Sequence, residues 1–89
     1  MVKTIPEEGK LIGEITHYFG KIGVAVIKLK GPLKVGDTIR IAGGEETDFK
    51  QEVVSMEMEH KKIETAKAKQ SIGMEIKEKV REGYQVYKI

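Results

Sequence analysis

The strongest constraint on this chain is the spacing of its turn signals. Glycine, proline and aspartate recur about every ten residues, and the stretches between them carry apolar residues at period two. Such segments are too short for core helices and have the alternation of half-buried strands. The stretch GPLKVGDTIRI, Gly31 to Ile41, shows the pattern most clearly. Two glycines, a proline and Asp37 lead into a strand in which Ile39 and Ile41 share one face and Thr38 and Arg40 the other.

The same reading extends along the chain. Residues 1–9 form a lead-in, and residues 10–89 form a single domain. In KLIGEITHYF, Leu11, Gly13, Ile15 and His17 are expected on one face and Ile12, Glu14 and Thr16 on the other. Gly20 to Gly23 make a hairpin connection to GVAVIKLK, with Val24, Val26 and Leu29 expected inward. TDFKQEVVSMEME changes phase between Val53 and Val54, which predicts a bulge or a strand bending round a corner. HKKIETAKAKQ has too weak an apolar stripe for a helix and is expected to be a connection with at most one helical turn. SIGMEIK alternates at Ile72, Met74 and Ile76, and in YQVYKI the residues Tyr84, Val86 and Lys88 oppose Gln85, Tyr87 and Ile89. LKVGDTIRI and VREGYQVYK both place a basic residue two before a glycine and a β-branched residue three after it, two uses of one turn device. Six strands and almost no helix predict an all-β fold, a small antiparallel closed β-barrel.

Composition narrows the chemistry. The 89 residues include no cysteine, which excludes disulfides and thiolate catalysis. Sixteen basic against 14 acidic residues leave a net charge of +2, so the total carries no strong nucleic-acid signature. The absence of asparagine and the abundance of lysine and glutamate resemble a thermophile's surface. No apolar run reaches the roughly 18 residues of a membrane span, and the first residues lack a signal-peptide core, so a cytoplasmic protein is expected.

Catalytic patterns are missing. No P-loop or dinucleotide fingerprint occurs, and Gly43-Gly44 precedes Glu45 and Glu46, which repel phosphate. The two histidines, His17 and His60, are far apart, so neither a metal site nor a cofactor is expected. Ser55 and Ser71 have no adjacent base. The chain reads as a non-enzymatic binding module.

Two stretches bear on binding. THYFGK places His17, Tyr18 and Lys21 at a strand end, where aromatics beside a cation suit unpaired bases; the other reading is that Tyr18 or Phe19 plugs the barrel end. HKKIETAKAK carries Lys61 and Lys62, which either contact phosphates or form a solvated face diluted by Glu57, Glu59 and Glu64.

LIGEI, the run from Gly31 to Ile41, VVSMEMEHK, SIGMEI and VREGYQV together resemble domain 2 of translational GTPases, of which elongation factor Tu is the best known, from about Lys10 to Ile89. The chain also resembles stand-alone elongation-factor-like proteins of thermophiles and the β-barrel at the C-terminus of U32-family peptidases. The translation-factor resemblance implies a six-stranded barrel that engages RNA, the ribosome or a translation protein. It carries over Glu57 to the glutamate that holds the aminoacyl end of transfer RNA, and places Ser71 where that family has asparagine. Lys69 stands where the family has glycine, and Tyr84 where it has aspartate. The peptidase resemblance implies a protein–protein adapter, a detached accessory barrel for a U32-like peptidase. A small-ligand site at the barrel mouth is the third possibility.

Overall fold

The computed structural model describes residues 9–44 and 47–89, so most of the expected lead-in and the pair Glu45–Glu46 lie outside the described residues. Ten strands run through these residues, with no helix among them. They are β1 (Lys10–Phe19), β2 (Val24–Leu29), β3 (Leu33–Lys34), β4 (Thr38–Gly43), β5 (Thr47–Glu52), β6 (Met56–Met58), β7 (Lys61–Ile63), β8 (Thr65–Ala66), β9 (Ser71–Glu75) and β10 (Gln85–Lys88). Eight pair antiparallel in the order β5-β4-β10-β1-β2-β9-β6-β7, and β3 with β8 makes a separate ribbon.

The all-β antiparallel expectation is met; the closed six-stranded barrel is not. The sheet ends at β5 and β7, whose outer edges have no strand partner among the described residues. The sequence count missed β3, β7 and β8, each two or three residues long, and took β5 and β6 as one bent strand. Where a barrel ladder would continue, a side chain stands in. Gln51 of β5 donates from Nε2 to the Glu75 carbonyl (2.9 Å) and accepts at Oε1 from the Lys77 amide (3.0 Å). Its carboxamide takes the place of a partner peptide group on the segment following β9.

The two predicted turns have one geometry. The Asp37 amide donates to the Lys34 carbonyl (3.1 Å), and the Tyr84 amide donates to the Arg81 carbonyl (3.2 Å). Gly36 and Gly83 occupy the third position at φ +100° and +93°, the requirement of a type II turn. Asp37 Oδ2 also accepts from the Lys34 amide (3.0 Å) and lies 3.4 Å from Lys88 Nζ. On β4 and β5, Arg40 grips both carboxylate oxygens of Asp48 at 2.7 and 2.6 Å, and that hydrogen bonding holds the Asp48 carboxyl below its usual range.

The core confirms Ile39, Ile41, Ile72, Met74 and Ile76 as inward residues. It corrects two strands. In β1, the register shift between Leu11 and Gly13 leaves Ile12 as an extra residue, so Ile12 and Ile15 lie inside together, which strict alternation forbids; a second shift follows between Ile15 and His17. In β2, Ala25, Ile27 and Leu29 are buried while Val24 and Val26 are half-buried; Leu29 shares parity with Ala25 and Ile27, not with the valines. The phase change at Val53 and Val54 is real: Val53 is fully buried and Val54 is 77% exposed, between β5 and β6.

HKKIETAKAKQ holds β7 and β8 in place of any helical turn. Glu59 and His60 form the two-residue loop of the β6–β7 hairpin at φ 54° and 68°. Both are left-handed, as a type I′ turn requires, yet neither is the glycine or asparagine that accepts this conformation readily. Replacing them together, Glu59→Asn with His60→Gly, is expected to raise stability by about 1 kcal/mol in chemical denaturation. Gln51→Ala removes both bonds that link β5 to the segment after β9. It should cost roughly 1–3 kcal/mol, with hydrogen exchange rising at the Lys77 amide ahead of global unfolding.

Candidate functional site

The residues expected to bind do not form one site. Glu57 faces Gly73 in the β6–β9 ladder and Lys62 in the β6–β7 ladder, so the acidic charge and the Lys62 charge lie directly opposite. Ser71 is exposed on β9, paired with Lys28 of β2. Lys61 pairs with Met58 and is exposed. All four are exposed on β6, β7 and β9, but Lys61 and Lys62 are consecutive in β7 and point to opposite faces. His17 is drawn to Phe19 and Glu82: its ring lies 4.3 Å from the Phe19 ring, and Nδ1 is 3.4 Å from Glu82 Oε2. Phe19 is 46% exposed, so it does not plug the fold's end; Tyr18 packs against the core instead.

Tyr18 and Lys21 do come together, and with residues the sequence reading left out. They line a cleft of about 690 Å³ with Thr47, Lys79, Val80, Arg81 and Tyr84. The β1–β2 hairpin supplies Tyr18 and Lys21, the start of β5 supplies Thr47, and the loop before β10 supplies the rest. That loop is pinned at three points. Val80 is buried, the Gly83 amide donates to the Ile15 carbonyl (2.7 Å), and the Ile15 amide donates to the Tyr84 carbonyl (2.8 Å). The turn is thereby fastened to β1 three residues before Tyr18.

Tyr84 is seated by a glycine. Continuing the β10–β4 register past Gln85 and Ala42 brings Tyr84 opposite Gly43. A Cβ on Gly43 would overlap the Tyr84 ring and stand 2.9 Å from its Cε1, so the ring lies directly against glycine backbone. An aromatic laid across a strand glycine is a recognised way of covering the missing side chain. Both tyrosines are half-buried, and neither phenol has a hydrogen-bond partner among the described residues. Lys21, Lys79 and Arg81 are exposed, and no acidic side chain among the described residues lines the cleft. The site offers cationic donors, free phenols and half-buried rings.

A second depression, of about 530 Å³, lies over the Gln51 bridge and is bordered by Ile22, Val54, Ser55, Ile76 and Lys77. Ile22 and Val54 are 65% and 77% exposed, the most exposed large apolar side chains among the described residues. No group of three metal-ligating side chains and no helix long and apolar enough to cross a membrane occurs among the described residues.

Comparison with known proteins bears on the fold. The chain superposes on the crystal structure of the C-terminal domain of a protein described as a U32 peptidase from Geobacillus thermoleovorans, with a TM-score of 0.83 and 18% identity over 98% of each chain. A selenomethionine variant of that domain matches with the same score and identity over 88% of this chain. The chain has the fold of that domain. In sequence it is 40% identical, over 76 residues, to an uncharacterised protease of Methanocaldococcus jannaschii. That match takes in 85% of this chain but spans only 19% of the relative. No family model matches. Of the expected resemblances, the U32 C-terminal domain finds support and the translation-factor domain finds none.

The dependence of the cleft on Gly43 is testable. Gly43→Ala should expel the Tyr84 ring and lower stability by about 1–3 kcal/mol, with Tyr84 ring shifts moving towards exposed values in NMR spectra.

Proposed function

We propose that this chain is a non-enzymatic accessory domain that docks on a U32-type peptidase body. The observation that carries this reading is the 40% identity to a fifth of a protease-named relative, joined to the fold of a U32 peptidase C-terminal domain. The remaining four fifths of that relative supply a body for the domain to rest on. The surface for that contact is the depression around Ile22 and Val54. Two large aliphatic side chains held in water beside a concave floor are the feature expected where a protein partner covers the sheet. Edge strand β5 runs along this depression through Gln51, and covering it would shield an otherwise open sheet edge.

The test uses the M. jannaschii relative with its matching segment removed. Titration of this chain into that body is expected to give a one-to-one complex by calorimetry. Ile22→Asp with Val54→Asp should weaken the complex at least ten-fold while leaving the thermal midpoint of the free domain within a few degrees, since both residues are exposed. A body that ignores this chain, yet binds its own excised segment, would sink the reading.

A further inference from the structure

We propose that the cleft between Tyr18 and Tyr84 binds a short run of single-stranded nucleic acid, stacking bases on the tyrosines and holding phosphates with Lys21, Lys79 and Arg81. The inference stands apart from the docking reading, which uses a different surface.

Each part of the cleft matches one requirement of such a ligand. The three cations are exposed and no acidic side chain among the described residues lines the cleft, while Glu45 and Glu46 precede the lining residue Thr47 in sequence. Two acids adjoin these cations in sequence, Glu78 beside Lys79 and Glu82 beside Arg81, and the Glu82 carboxylate lies 3.4 Å from His17 Nδ1. The tyrosines are preorganised. Tyr84 rests on Gly43, and Tyr18 packs on the core, so neither ring must be ordered on binding. Rings beside cations accept any unpaired base, because every base presents a π-face. At about 690 Å³ the cleft suits a small number of nucleotides, not a duplex.

The same geometry disfavours an extended peptide. Strands β1, β4 and β10 already have neighbours on both edges, which leaves only edge strand β5, whose Thr47 borders the cleft, open to strand addition. Among the lining residues only Val80 is aliphatic, and it is 4% exposed, which leaves no apolar pocket for a side chain. The location also differs from the one implied by the translation-factor resemblance, since Glu57 and Ser71 lie on β6 and β9 and do not line the cleft.

The experiment is a fluorescence-anisotropy titration of the intact chain with 5′-labelled U8 and A8 RNA and dT8 DNA, at 50 and 150 mM salt. Three phosphate contacts predict a log–log salt slope near −2, hence about a ten-fold loss of affinity between the two salts. Arg81→Ala and Lys79→Ala should each weaken all three oligonucleotides to a similar extent and make the slope shallower by about 0.7. Tyr18→Leu should weaken binding about ten-fold with the slope unchanged, and Tyr84→Phe should retain it. Lys61→Ala with Lys62→Ala, away from the cleft, should change neither quantity. The proposal is overturned if no oligonucleotide binds at 50 mM salt, or if Arg81→Ala and Lys79→Ala leave binding intact. Displacement of RNA by polyglutamate at equal charge, with Tyr18→Leu silent, would overturn it in favour of an acidic peptide. The lysine and arginine variants alter exposed side chains, so the outcome does not hang on whether a tyrosine variant folds.

Discussion

The turn from Arg81 to Tyr84 carries more of this structure than any other contact. It delivers β10 between β1 and β4, joining the last strand to the first in the middle of the sheet. Its glycine at φ +93° fixes the turn type, and its amide and the Tyr84 carbonyl close a pair of hydrogen bonds with Ile15. That pairing is long-range, and the loop-closure entropy it costs is recovered only when Val86 enters the core beside Ile41. The same turn sets the Tyr84 ring on Gly43 and brings Arg81 within the cleft that Tyr18 borders. Core and cleft thus depend on one backbone conformation. A glycine is required there by the dihedral angle and not by space, since a Cβ at Gly83 would meet nothing within 4 Å.

What was legible in the sequence follows from which physical signals are local. Ile39 and Ile41, or Ile72, Met74 and Ile76, alternate in short segments flanked by turn residues, and the pleat turns that alternation directly into burial. The two type II turns were readable because glycine at the third position is a local demand. β1 was misread because a bulge leaves no residue signature here: Ile12 and Ile15 share the interior only through unpaired residues between successive ladder partners. β2 was misread because β-branched residues occupy both of its faces, so hydrophobicity alone does not select one. The β6–β7 hairpin was invisible because its turn uses Glu59 and His60 where asparagine and glycine are expected. Lys69 is the same case: its φ of 76° is the left-handed conformation that favours glycine, and lysine gives no sign of it.

The candidate site was half legible for a related reason. Tyr18 and Lys21 are close in sequence, so their association needed no tertiary knowledge. Tyr84, Lys79 and Arg81 join them only through the β10–β1 pairing, about sixty residues away. Glu57 and Ser71 were carried over from a translation-factor resemblance that neither the fold comparison nor the sequence comparison supports. The closed barrel was expected from strand count and turn spacing as well as from that resemblance, and the sheet is open at β5 and β7. Strand count and alternation do not specify whether the last two edges meet, and here a glutamine side chain makes the link that a ladder was expected to make.

Net charge does not say where charge sits on the surface. The chain totals only +2, and three of its 14 acids lie against basic side chains among the described residues: Asp48 against Arg40, Asp37 near Lys88, and Glu82 near His17. Screening at physiological salt confines each exposed charge to about 8 Å, so three cations in one concavity act together. The β1–β2 hairpin then links the two surfaces. Lys21 lines the cleft, and the next residue, Ile22, lines the apolar depression over Gln51. The turn of this hairpin is closed by the Ile22 and Gly23 amides, which both donate to the Phe19 carbonyl (3.2 and 2.8 Å), so one ordered turn presents both side chains.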